Sequence, residues 1–358
     1  MRAPARSLLQ AFSQGCGRCV AAVLLAGLAA CDGEAVPNAQ LQRQGRLGSL
    51  RDLVLFERPG QPMARALFVD RFEVTRGDWT QFAATTAGRE VGADLVAVDG
   101  DAACPVAGVS FRQAQAFAQW RCLRLPTRAE WELAATGGGR SLYPWGDRAA
   151  SGRANTGELG LLAVTPVGTF ESGRRAGGDQ PYDLIGNVSE WTQSVPARWF
   201  LDELDPSAGL PRVLAGVRRC RSLSVWGSTS APFPAAWLVQ MGGDRVLREV
   251  VGADFQTTMA RADRDQQVEA LVESVPAGDR RQRTGLRLCG SATDLVAALC
   301  ACTTAPTPAE VGQLQEFVRR DGHRQVLAAA FEKAMPQQAT AFARLLAEQL
   351  GIAVEPPR

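Results

Sequence analysis

Apolar positions come in short bursts along this chain. Leu53–Phe56 and Ala66–Val69 are four-residue apolar runs bounded by polar and turn-forming residues, and they predict short strands. After Phe72-Glu73-Val74 the spacing changes to a helical one. Thr75 and Asp78 stand three apart as a capping box, with Trp79 and Phe82 on one face behind it. The same grammar recurs at Ser110–Gln113, followed by Ala114, Phe117 and Ala118, and at Thr127–Glu130, followed by Trp131, Ala134 and Ala135. Gly137-Gly138-Gly139 ends the third helix, because glycine takes the left-handed cap without steric cost. From Ser141 to about Gly290, Gly, Pro and Trp are frequent and periodic runs scarce, which predicts ordered loops. Beyond residue 290 helical spacing returns. Ser291 and Asp294 cap one helix, and Thr307-Pro308-Ala309-Glu310 opens another with Val311, Leu314, Phe317 and Val318 on a face. Residues 323–350 continue helically, with Pro336 forcing a break and Gly351 a stop. The pattern as a whole predicts an α+β fold, loop-rich over residues 51–290, with a helical extension at 291–358 whose apolar faces pack within the chain.

The N-terminus reads as an address. Val20–Ala30 is an unbroken apolar run, preceded by Arg2, Arg6 and Arg18 and by no acid. It is too short to span a bilayer and has the layout of a signal peptide, residues 1–30. It ends in Leu28-Ala29-Ala30-Cys31, which resembles the bacterial lipobox, whose cysteine is lipidated. The expectation is an envelope lipoprotein held through Cys31 on the cell membrane or outer membrane, facing the periplasm or the surface. Residues 31–50, rich in Gly, Gln and Arg, read as a flexible tether.

Charge and composition exclude several functions. The chain has 358 residues, a formal net charge of +2 and one histidine, His323. Part of that small excess belongs to the three N-terminal arginines, so no electrostatic footprint for nucleic acid remains. A single histidine rules out histidine-rich metal sites and a Ser-His-Asp arrangement in the main domain. His323 follows Asp321-Gly322 and is expected to be solvated.

Six phrases in order carry a family resemblance: Phe72-Glu73-Val74-Thr75, Pro105–Ser110, Arg124-Leu125-Pro126-Thr127-Arg128-Ala129-Glu130-Trp131-Glu132, Tyr143-Pro144-Trp145-Gly146-Asp147, Pro166-Val167-Gly168 and Asp183–Trp191. They resemble successive signatures of the formylglycine-generating enzyme (sulfatase-modifying factor) family, and Gly285-Leu286-Arg287-Leu288-Cys289 resembles its closing strand. The resemblance implies a compact, loop-rich relative of the C-type-lectin fold. Read from the residues alone, Trp131, Trp145 and Trp191 fill the core, and Arg124 and Glu130 pair or cap. By resemblance, Gly186, Asn187, Val188 and Glu190 match a calcium loop. The alternative is that Asn187 holds a tight turn and Glu190 bonds backbone amides.

Family members that oxidise a substrate cysteine to formylglycine hold copper(I) between two cysteines five positions apart, since soft thiolates suit that ion. Here the candidate is Cys220, and five residues on stands Val225. A lone thiol cannot make the two-sulfur site. The expectation is therefore a non-catalytic binding or scaffold module for an envelope protein, peptide or glycan. The alternative is a copper-dependent oxidase acting on exported sulfatases, with Cys220 catalytic and a distant cysteine such as Cys289 as its partner. Iron(II)-dependent sulfoxide synthases, which carry a similar domain, need histidine ligands that the chain lacks. The mature cysteines other than Cys31 are Cys104, Cys122, Cys220, Cys289, Cys300 and Cys302. Cys104–Cys122, bracketing one helix, is the preferred disulfide. Cys220 and Cys289 either bond each other or stay buried thiols.

Overall fold

A computed structural model describes residues 50–58, 60–138, 140–195, 247–258, 272–303, 305–334 and 340–353. Cys31, Cys220 and Val225 lie outside them.

Two small sheets organise the domain. The first contains β1 (Leu53–Phe56), β2 (Leu67–Asp70) and β7 (Cys289–Ser291), antiparallel in the order β1-β2-β7. Its register pairs Val54 with Val69, and Val69 with Cys289. Alternate side chains enter different clusters. Leu53 and Phe68 join one, while Val54, Phe56, Leu67 and Val69 join the other. A sheet buried on both faces needs apolar residues at nearly every position, which is why these strands read as continuous apolar runs.

Helices supply both covers. On one face lie α5 (Ala292–Cys300), α6 (Pro308–Arg319), α7 (His323–Ala334) and α8 (Ala341–Leu350), whose Leu295, Phe317, Leu327 and Leu346 share a core with Phe68 and Leu53. The opposite face meets α4 (Arg128–Thr136) through Trp131, Ala134 and Ala135. The remaining α-helices among the described residues are α1 (Arg76–Ala83), α2 (Thr86–Glu90) and α3 (Phe111–Trp120). Trp79 of α1 stacks on Phe117 of α3 with ring centroids 5.5 Å apart, and Phe82 meets Phe117 edge-on. Capping boxes start α1, α3, α4 and α6 at Thr75, Ser110, Thr127 and Thr307. Gly137 and Gly351, at φ 68° and 77°, close α4 and α8 as left-handed caps.

The second sheet has the order β5-β4-β3-β6, built from β3 (Ser189–Trp191), β4 (Leu247–Val251), β5 (Glu273–Pro276) and β6 (Thr284–Gly285). β3 runs antiparallel to β4 and parallel to β6. Most of the described residues between α4 and β7 are loop, so the architecture is α+β and loop-rich.

Two expectations need correction. His323 is 3% exposed rather than solvated. Its ring meets Phe317 and Phe68 edge-on at 4.6 and 5.2 Å, because the Asp321-Gly322 turn directs α7 back across the sheet. Cys104 and Cys122 are not joined. Standing on either side of α3 in sequence does not supply the close Cα approach that a disulfide needs. Cys289 is likewise a buried thiol.

Burial, then the charge of Arg320, pushes the His323 pKa down to about 4. The folded state keeps the ring neutral, while the unfolded chain takes up a proton below about pH 6.5. Stability from this group is thus full at neutral pH and lost as pH falls from about 6.5 to 4, by about 3 kcal/mol. Buried carboxylates work with the opposite sign, so the difference between parent and variant isolates the ring. The stability gap between His323→Phe and the parent should move in the variant's favour across that window, as read by urea denaturation at several pH values. An unchanged gap would contradict the buried neutral imidazole.

Candidate binding site and its buried support

The segment Gly186–Trp191 positions the candidate site. Gly186 has φ 85°, and a Cβ there would stand 2.4 Å from the carbonyl oxygen of Asn155, so only glycine fits. Asn187 follows at φ 60°, a left-handed position that asparagine tolerates. Its side chain fastens the turn. Asn187 Oδ1 accepts from the Thr165 N–H (2.9 Å) and from Asn155 Nδ2 (3.2 Å), while its Nδ2 donates to Glu73 Oε2 (2.7 Å). Glu73 Oε1 accepts from the Val188 N–H at 3.1 Å.

Glu190, two residues past the turn on β3, points inward. Its Oε2 accepts from Trp131 Nε1 (2.9 Å) and its Oε1 from Arg287 Nε (2.9 Å). Arg287 is fully buried and also donates to the carbonyls of Asp70, Arg71 and Tyr182. One guanidinium thus pins β2, β3 and the Tyr182 loop together. Around it sit Glu73, Asp183 and Glu190, three buried carboxyls for one cation. Burial raises all three pKa values. Glu73 goes well above its usual range, helped by the charges of Asp183 and Glu190, and Asp183 rises to about 6.

This geometry does not suit the calcium reading. Calcium takes six to eight oxygens with spare lone pairs facing the ion. Both Glu190 oxygens and the Asn187 amide oxygen face protein N–H donors instead. The Asn155 Oδ1 is buried without a partner, but one amide oxygen is no calcium cage. No group of three or more His, Cys, Asp or Glu side chains among the described residues could hold a metal. Asn187 holds the turn, as its alternative reading had it, whereas Glu190 bonds side chains rather than backbone amides.

Cys289, two residues past Arg287, is fully buried. Its Sγ accepts from Arg124 Nη1 at 3.2 Å and lies 3.8 Å from Glu130 Oε2. Arg124 pairs with both oxygens of Glu130, which also caps α4 and binds Arg58, so pairing and capping occur in the same residues. Burial pushes the Cys289 thiol up, away from the thiolate. Trp131 and Trp191 are core residues; Trp145 is only half-buried and stacks on Tyr143 at 5.3 Å.

The outer side of the second sheet carries a cleft of about 320 Å³, lined among others by Ser189, Asp254, Thr257, Glu273, Arg283 and Thr284. Ser189 Oγ and Thr284 Oγ1 stand 3.0 Å apart across the parallel β3–β6 pair. Arg283 donates to Asp254 Oδ2 (2.9 Å) and Gln256 Oε1 (2.9 Å), and Arg281 pairs with Glu273. The rim is balanced in charge and rich in both donors and acceptors. Among the described residues, no thiol or imidazole lines it. No residue of this cleft was singled out from the sequence, because its walls come from three stretches without periodic signal. Glu73 and Arg287 stand in the recognisable phrases, but their bond network joins residues about a hundred positions apart and carries no local signal.

Residues 40–288 match the profile of the sulfatase-modifying factor enzyme 1-like domain. Over 101 residues the chain is 44% identical to the formylglycine-generating enzyme of Mycobacterium tuberculosis, covering 25% of this chain and 32% of that one. It is 42% identical, also over 101 residues, to the inactive C-alpha-formylglycine-generating enzyme 2 of Bos taurus, covering 25% and 33%. The chain thus spans about a third of the length of these curated relatives, of which one is named as an enzyme and the other as inactive. The solved structure of PvdO from Pseudomonas aeruginosa aligns with 66% of this chain and 90% of its own, at 17% identity and a TM-score of 0.41.

Proposed function

Because the chain belongs to the sulfatase-modifying factor enzyme 1-like family, we propose that it is a catalytically silent member: a lipid-anchored envelope module whose polar cleft holds a segment of a protein partner. The observation that carries this reading is the missing second thiol. Val225 stands where a copper(I) site around Cys220 needs its other sulfur. Cys289, the distant substitute that the sequence offers, is sealed behind Arg124 and Glu130 and held as a thiol. A pair with Cys220 would require that packing to open.

The cleft suits binding rather than covalent chemistry. Its serine and threonine hydroxyls have no imidazole beside them to act as a base. Hydroxyls, carboxylates and guanidiniums interspersed around about 320 Å³ match the alternating N–H and C=O groups of an extended peptide. The lipid anchor at Cys31 rests on the run Val20–Ala30 and the small residues before that cysteine. No described helix is long and apolar enough to cross a membrane.

Competition titration with copper(I) under reductant tests the proposal. The mature chain and its Cys220→Ser variant should bind copper(I) alike. Loss of one tight copper equivalent in the variant would show that Cys220 has a thiolate partner and would overturn the silent reading.

A further inference from the structure

Residues 157–165 read Gly-Glu-Leu-Gly-Leu-Leu-Ala-Val-Thr, with no charge after Glu158. Both ends of this loop are tied to the interior. The Gly157 N–H donates to the Thr257 carbonyl (3.0 Å), the buried Asn155 donates Nδ2 to the Ala163 carbonyl (2.8 Å), and the Thr165 N–H donates to Asn187 Oδ1 (2.9 Å). Between the ties, Leu161 and Leu162 are 49% and 65% exposed. Leu162 sits at φ 53°, in the left-handed region that disfavours a residue with a Cβ. A glycine would relieve that strain. The fold instead holds an adjacent pair of leucines outward on a fixed base, unlike the scattered single apolar residues of an ordinary surface.

Contacts also link the base of the loop to Asp52, near the first described residue. The Arg71 N–H donates to the Asp52 carbonyl at 2.6 Å. The next residue, Phe72, lies 2.9 Å from where a Gly168 Cβ would be, and Val167 and Thr165 lead back from there into the loop. Eighteen residues lie between Cys31 and Leu50. Read from sequence as a tether, they reach on the order of 25 Å.

We propose that Leu161 and Leu162 form an insertion tip that docks on the lipid surface to which Cys31 attaches the chain, and so fixes how the domain is oriented on the membrane. The inference rests on the lipid-anchor reading. Two leucines offer far less than the roughly 800 Å² per partner of a stable protein interface. A bilayer asks only for apolar side chains that reach its acyl region, with no matching shape. With no basic residue in the loop, docking depends on apolar burial and is indifferent to anionic lipid and to salt.

The test uses the full lipidated chain in vesicles of phosphatidylethanolamine and phosphatidylglycerol, with acyl-chain-brominated lipid as quencher. Leu162→Trp and, as a second site with less backbone strain, Leu161→Trp are compared with Leu95→Trp, at a position that is 72% exposed elsewhere on the domain. Flotation of each sample reads the anchor by itself. The emission that each variant adds to the parent's should be quenched at least about twofold at 161 and 162, equally at low and high salt, and left unchanged at 95. If the chain floats but 161 and 162 behave like 95, the insertion tip is wrong while the anchor stands. Should the chain fail to float, the anchor reading falls and this inference with it. A blue shift at 162 without quenching would mean that a protein covers the tip, which also overturns the proposal.

Discussion

Arg287→Met should leave the chain without a cooperative unfolding transition, or with one weakened by about 3–5 kcal/mol. The guanidinium is fully buried, bonds Glu190 Oε1 and takes three backbone carbonyls from two separate segments. Methionine fills much of the volume but leaves the Glu190 carboxyl facing Trp131 alone, with Glu73 and Asp183 close by and no cation to offset them. Since total stabilities are typically about 5–15 kcal/mol, the loss takes a large part of the whole. The double variant Arg287→Met/Glu190→Gln should recover a measurable share of the denaturant midpoint, because the stranded charge is gone. Equal midpoints for parent and Arg287→Met would mean that this network is peripheral to the fold.

A chain ending at Ser291 should not fold at all. The four helices beyond it cover one face of the first sheet, and Phe68 packs directly on Phe317 with ring centroids 5.4 Å apart. Removing them uncovers Leu53 and Phe68 and discards the buried side chains of Leu314, Phe317, Leu327, Phe331, Phe342 and Leu346. Each such side chain contributes about 1.5–3 kcal/mol on burial, so the sum is as large as the whole net stability of a typical domain. Circular dichroism and proteolysis of the shortened chain would show this. A protease-resistant, cooperatively unfolding product would establish that the helices are an independent unit.

The parts of this fold that were legible in the sequence are those whose partners are three or four residues away. Thr75 and Asp78, Ser110 and Gln113, and Thr127 and Glu130 signal their helices locally, and all three form the expected capping boxes. The strands Leu53–Phe56 and Leu67–Asp70 showed as apolar runs, although their two-sided burial was not written in any local pattern. What failed was long-range. Asp-Gly before His323 looks like an exposed turn, and only the return of α7 over Phe68 makes the imidazole a core group. Cys104 and Cys122 flank one helix in sequence, yet no disulfide joins them. Glu190 matched a calcium phrase, yet its oxygens go to Trp131 and Arg287, 59 and 97 residues away. The Asp254–Arg283 wall of the cleft likewise joins two loops with no shared periodicity. Function sat between these cases: the absence of a thiol at position 225 can be read directly, whereas the sealing of Cys289 required the packing.

The most direct test of the central claim is intact-mass analysis of a Cys-x-Pro-x-Arg peptide incubated with the folded mature chain, copper(I), oxygen and reductant. The peptide should keep its mass, with or without Cys220. Conversion of the cysteine to formylglycine, abolished by Cys220→Ser, would contradict that claim and make this chain an oxidase with a second sulfur supplied from elsewhere in the fold.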